Sequence, residues 1–211
     1  MPEFTNRKIT SRGARRVGAA TAFVALALIG ASAVRHRVAA QSADGTVDPD
    51  TDNVSLQADL SDRELTIMND GNVVATYGVA VGRDSKPTPT GHYSIRKIVW
   101  NPAWIPPDQP WAKKEHAQPP GAPANPMKIV KIFFKEPDYY IHGTNQPESI
   151  GEAESHGCLR MDPDDAYRVA RYLMEHGGQP RDESWFERIL HFRSVTKTVY
   201  LDHPIPMTVV H

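Results

Sequence analysis

The sequence predicts a mainly β domain with two helices late in the chain, and three observations carry that expectation. From about residue 65 to residue 142, apolar and polar residues alternate in short runs separated by Gly, Pro, Asn and Asp, the period-two pattern of half-buried strands. No internal repeat and no long charged periodic stretch occurs, which argues against helical-repeat and coiled-coil architectures. The first clear helix start is Asp162-Pro163, a capping residue followed by a proline at the first helical position, and it lies late in the 211-residue chain.

The elements follow in order. Residues 7–16 carry five positive charges and precede Val17–Val34, eighteen residues without a charge, so 1–40 reads as a signal peptide with Val38-Ala39-Ala40 offered for cleavage. An uncleaved anchor through 17–34 is the competing reading. Either one places the rest of the chain outside the cytoplasm, in the periplasm or cell envelope. Residues 41–52 are small, polar and acidic and read as a linker, with the domain over 53–211. Leu65 and Ile67 alternate with polar residues, Asn69-Asp70-Gly71 marks a turn, and Val73, Ala75, Tyr77, Val79 and Val81 resume the alternation, which predicts a hairpin with one buried face. A loop over 82–90 leads to a strand from His92 to Trp100 with Tyr93, Ile95 and Ile98 inward.

Residues 101–126 hold eight prolines and two tryptophans, too many breakers for a strand or helix, and are expected to form a long ordered loop or lid. Strands are expected over Met127–Phe134 and Tyr139–His142. A helix starts at Asp162-Pro163, presents Ala166, Val169, Ala170 and Leu173 on one face, and stops at Gly177-Gly178. A second helix is expected over Asp182–Phe192, then two separate strands, Thr198–Leu201 and Met207–Val210, flanking Pro204 and Pro206.

Charge is nearly balanced, 24 Lys and Arg against 25 Asp and Glu, so no basic field gathers nucleic acid. Cys158 is the only cysteine, which excludes an internal disulfide. A lone thiol is commonly an inert buried group, but its neighbours here, Ser155-His156-Gly157-Cys158-Leu159-Arg160, suit a nucleophile. His142 and His156 are the candidate bases, and His142 is preferred because it comes from a separate segment with independent reach. Gly157 lets an acyl group approach, and the amides of Gly157 and Cys158 could hold an oxyanion. Arg160 falls on the face of Cys158 if the segment is extended, to serve the thiolate, the oxyanion or a substrate carboxylate. An ordinary ion pair with Glu152, Glu154 or Asp162 is the alternative. A metal site built from Cys158, His156 and His142 is disfavoured, because a single thiol without a close Cys or His ladder is a poor ligand set.

Ile141-His142-Gly143-Thr144-Asn145, Ser149-Ile150-Gly151 and Ser155-His156-Gly157-Cys158-Leu159-Arg160-Met161, with His142 sixteen residues before Cys158, resemble the L,D-transpeptidase (YkuD) catalytic domain. Val79-Ala80-Val81-Gly82, Pro87-Thr88-Pro89-Thr90-Gly91 and Asn101-Pro102-Ala103-Trp104-Ile105-Pro106-Pro107 look like further landmarks of that family. The resemblance implies a β-sandwich-like domain with a core over 53–175 and an extension over 179–211. It also implies an acyltransferase of cell-wall biogenesis acting on peptidoglycan stem peptides. Cys158 would form a thioester with release of D-alanine, and His142, oriented by the Gly143 carbonyl, would carry the proton.

By the same resemblance Ser155, His156, Gly157 and Arg160 support the oxyanion and substrate, Thr144, Trp104, Trp100 and Tyr140 are candidate groove residues, and no metal or organic cofactor is needed. The acceptor would be a second stem, an envelope lipoprotein or a D-amino acid. Two alternatives stand: a hydrolase that sends the thioester to water, as an L,D-carboxypeptidase or lipoprotein-releasing amidase, and a catalytically idle wall-binding module. The element Asn125-Pro126-Met127-Lys128 departs from the family's Asn-Pro-Leu-Gly.

Overall fold

The computed structural model describes residues 53–211, so the export segment and most of the linker lie outside the described residues. Eight strands form one sheet: β1 (Val54–Asp59), β2 (Glu64–Asn69), β3 (Asn72–Gly78), β4 (Gly91–Trp100), β5 (Val130–Lys135), β6 (Tyr139–Gly143), β7 (Leu159–Met161) and β8 (Lys197–Val210). Their order is β3-β2-β1-β8-β4-β5-β6-β7. Just past β3, Ala80 bridges to Arg160 of β7 and Gly82 to Ser155, so the sheet curls until its two ends meet. Helices α1 (Pro163–His176) and α2 (Glu183–His191) follow β7. Among the described residues no helix is long and apolar enough to cross a membrane.

The β2–β3 hairpin turns through Asp70 and Gly71, both at positive φ (51° and 76°), a two-residue loop whose twist matches that of the strands. Its second strand departs from the expected buried face. β3 is an edge strand, Val73 is 66% exposed, and the buried Val79 and Val81 lie beyond it in the segment that closes the sheet. β1 went unpredicted, although Val54, Leu56 and Ala58 alternate with polar residues and are all buried. The strand expected from Met127 begins only at Val130.

Pro204 and Pro206 were expected to separate two strands, but β8 runs unbroken through both and lies between β1 and β4 in the sheet. A register shift makes this possible: Ile95 pairs with Ile205 and Lys97 with Tyr200, so Pro204 falls in a bulge where no ladder bond to β4 is required. The parallel pairing to β1 starts at Met207, just after Pro206. The bulge docks on the end of α1, where the His203 N–H donates to Gly177 O at 3.1 Å. The 179–211 segment therefore completes the sheet as well as supplying α2.

α1 begins where Asp162 Oδ1 accepts the Asp164 and Asp165 amides, and it packs against β5, β6 and β8. Trp100, expected in the groove, is fully buried instead. Its ring meets Tyr167, Trp185 and Phe186 edge-on, and its Nε1–H donates to Met174 Sδ at 3.2 Å. The β4 bulge sets this outcome, because the shift between Ile95 and Lys97 brings Ile95, Ile98 and Trp100 all inward. Beyond it, Asn101 adopts φ 47° and donates to Ile189 O at 2.8 Å, tying the start of the proline-rich segment to α2. That segment is ordered by its own bonds: Trp104 and Gln118 exchange backbone hydrogen bonds, and buried Asn125 donates to Pro102 O at 2.8 Å.

Candidate active site

β6 and β7 run parallel with Ile141 beside Leu159 and His142 beside Arg160, which brings Cys158, one residue before the pairing, alongside Tyr140. Alternation then sorts the side chains. Ile141, Leu159 and Met161 are completely buried in the core, while Tyr140, His142, Cys158 and Arg160 line a cleft of about 1060 Å³ on the other face. The cleft's opposite wall comes from the proline-rich segment through Trp104, Ile105 and Trp111.

The Cys158 thiol donates to Asp138 O at 3.3 Å. Burial pushes that thiol up to about 11, opposed by the Tyr140 N–H, the Lys131 ammonium, the Tyr140 hydroxyl and the Arg160 guanidinium, all of which favour the thiolate. Tyr140 is itself raised, first by burial and then by Cys158, and keeps its proton to donate. Lys131 stands beside His142 in the β5–β6 ladder, with its Nζ 4.6 Å from the centre of the Tyr140 ring. Burial lowers its pKa while the neighbouring Cys158 raises it.

His142 is buried, and its Nδ1 lies 2.5 Å from Gly143 O, so Nδ1–H donates there and Nε2 is left as the basic nitrogen. Burial pushes the imidazole down to about 3; Arg160 and Lys131 add to that, and the carbonyls of Gly143 and Pro126 oppose it. Gly143 is closely packed: a Cβ would stand 3.1 Å from both Pro163 Cα and Lys128 Cβ, so a side chain there would need its neighbours to give by a few tenths of an ångström. The first turn of α1 thus lies close against Gly143, whose carbonyl accepts from His142. His142 and Cys158 line the same cleft, but no hydrogen bond joins them among the described residues.

The loop before the cysteine is held by Ser155, which is 1% exposed. Its hydroxyl donates to Cys158 O at 2.6 Å and accepts the Gly157 N–H at 3.0 Å. The Ser155 hydroxyl and the Gly157 N–H are thus both engaged inside the turn, and the Cys158 amide is the member of the expected oxyanion pair that the turn does not use. Gly157 is required on other grounds, because its φ is 108° and a Cβ would meet Tyr139 Cε1 at 2.8 Å.

His156 stacks on Trp111, centroids 3.7 Å apart and planes 12° from parallel, and its pKa is lowered by burial and then by Arg83, Arg160 and Lys86. Arg160 donates to Gln146 Oε1 at 3.0 Å instead of pairing with an acid. Thr144 is buried and accepts the Gln146 N–H, and Trp104 is 8% exposed on the cleft wall. Lys131, Asp138, Arg83 and Trp111 went unnoticed in the sequence. Of these Lys131 had a signal, a lysine inside the apolar run Ile129–Phe134. Among the described residues no cluster of His, Cys, Asp and Glu could hold a metal ion.

A family model described as the L,D-transpeptidase catalytic domain matches residues 53–197. The chain belongs to that family. YkuD of Bacillus subtilis, classed by its name as an L,D-transpeptidase, is 30% identical over 126 residues, 60% of this chain and 64% of that protein. YqjB of the same organism, classed likewise, is 35% identical over 111 residues, 50% of this chain and 58% of that one. The chain thus spans less than two thirds of the length of either L,D-transpeptidase relative. Among solved structures, an L,D-transpeptidase from Mycobacterium smegmatis aligns with TM-score 0.46 and 18% identity, covering 75% of this chain and 58% of that one.

Proposed function

We propose that this L,D-transpeptidase family member is an exported acyltransferase that forms a thioester on Cys158 with a peptidoglycan stem tetrapeptide and passes the acyl group to an amine. The observation that carries the reading is the shared face of β6 and β7, where a thiol, a neutral imidazole and two cations meet in one open cleft.

With the thiol at about 11 and the imidazole at about 3, the resting pair is uncharged. Spontaneous formation of a thiolate–imidazolium pair is therefore unfavourable, and proton transfer accompanies attack. The sulfur bonds to the carbonyl carbon of the third stem residue as the thiol proton passes to His142 Nε2. Charge then develops on the carbonyl oxygen, where the Cys158 amide is the available donor. Collapse breaks the C–N bond and His142 returns the proton to the departing D-alanine. An acceptor amine, from a second stem, a lipoprotein or a D-amino acid, attacks the thioester and releases the thiol. The basic segment 7–16 and the uncharged run 17–34 support export to the envelope.

The test is incubation of purified protein with a defined tetrapeptide muropeptide, read by mass spectrometry. The expected results are an acyl adduct on Cys158, loss of D-alanine and a crosslinked product on adding an acceptor amine. Cys158→Ala should abolish all three while leaving thermal unfolding unchanged. Wild-type protein that forms no adduct would refute the reading, and an adduct resolved only to the free acid would make the protein a hydrolase.

A further inference from the structure

One end of the cleft is strongly cationic, although the chain as a whole has a formal charge of −1. Arg83, Lys86 and Arg160 line it beside His156. Arg83 is anchored by neutral oxygens: its Nε–H donates to Ser155 O at 3.3 Å and its Nη2–H to Glu154 O at 2.7 Å. Arg160 donates to the amide oxygen of Gln146 at 3.0 Å and Lys86 to that of Gln109 at 3.3 Å. The ion pairs among the described residues are Lys97–Glu136, Arg168–Asp165 and Arg171–Glu183, so a direct carboxylate contact neutralises none of the three. Glu154 also lines the cleft and acts on Arg160 at longer range from an exposed position. The depression of the His156 pKa by all three cations, second to its burial, is a separate sign of positive potential there.

The geometry suits a small anion. Two of the Arg83 side-chain donors are spent on backbone carbonyls, which orient the guanidinium and leave the rest of its five N–H groups for a planar acceptor. Arg160 lies two residues beyond Cys158 on the same face, about 7 Å along the strand. A peptide cleaved before its last residue carries its terminal carboxylate about 4 Å beyond the scissile carbonyl carbon, within reach of an arginine at that position.

We infer that Arg83, Lys86 and Arg160 form a subsite for the free C-terminal carboxylate of the donor peptide's leaving residue. This rests on the acyl-enzyme reading for its role, but the binding itself can be measured without chemistry.

In the Cys158→Ala chain, titration calorimetry should show a tetrapeptide with a free terminus binding about tenfold more tightly than its C-terminal amide. Adding Arg83→Gln and Lys86→Gln should bring that ratio close to one by weakening the acid while sparing the amide. Lys86→Gln alone, which leaves the Arg83 anchorage intact, should lower the ratio partway and flatten its salt dependence. A peptide amidated on the side-chain carboxylate of its third residue should bind like the parent acid. An acid-to-amide ratio unchanged in the double variant, or a preference that follows the side-chain carboxylate, would overturn the assignment. If the wild-type protein forms no thioester while the ratio still collapses in the variant, the acyl-enzyme reading fails and the carboxylate subsite stands.

Discussion

Ser155→Ala removes one oxygen atom from a buried turn, and its cost follows from the bonds that oxygen makes. The hydroxyl, 1% exposed with its residue, donates to Cys158 O and accepts from Gly157 N–H. The Gly157 amide is buried and would be left without its acceptor, a loss of about 1–3 kcal/mol. The Cys158 carbonyl is part-buried and can partly rehydrate, adding about 0.5–1.5 kcal/mol. The total of about 1.5–4.5 kcal/mol corresponds to a fall in Tm of roughly 3–18 °C for a domain of this size, measurable by calorimetry. Because the same turn aims the thiol and the Cys158 amide, kcat/KM for release of D-alanine should fall about a hundredfold. A Tm within about 1 °C of wild type together with kcat/KM within twofold would refute the claim that this hydroxyl builds the turn.

Three further outcomes are expected. The rate of Cys158 alkylation by iodoacetamide should be slow at neutral pH and climb about tenfold per pH unit toward about 11; Lys131→Met and Tyr140→Phe should each slow it further, since both groups favour the thiolate, and a plateau near pH 7 would contradict this. His142 has a folded pKa of about 3 against an ordinary 6.5, so the stability of its neutral form is fully present above 6.5 and lost as pH falls through 3; urea melts across that window should show His142→Gln with a shallower acid slope than wild type. Trp100→Ala should cost about 3–5 kcal/mol in urea melts while leaving the carboxyl-terminal preference of the cleft unchanged, because the ring packs among Tyr167, Trp185 and Phe186; a stable variant with weakened peptide binding would return Trp100 to the groove.

Wherever a signal is local, the sequence carried it. The Asp70-Gly71 turn, the Asp162 cap and the Gly177-Gly178 stop depend on a few adjacent residues whose backbone preferences do not wait for the rest of the chain. The Ser155–Arg160 run and His142 stood out as candidates for the same reason: their residue types limit the chemistry open to them, and two-residue alternation already put Cys158 and Arg160 on one face.

Only the tertiary structure decided which face each strand presents and what stands across from it. A single bulge at Ile95–Lys97 reverses the parity of β4 and sends Trp100 into the core, and the shift opposite it lets β8 pass through two prolines into the interior of the sheet. Register depends on pairing between residues more than a hundred positions apart, which no local window contains. Other pairings, β5 with β6 and Gly82 with Ser155, bring Lys131 to the Cys158 cleft and Arg83 against the Ser155 loop, charges that in sequence look like ordinary members of a balanced composition. Thus the sequence singled out Cys158 and His142 as candidates, whereas closure of the sheet set the charge around them, because electrostatic environment is a property of neighbours in space.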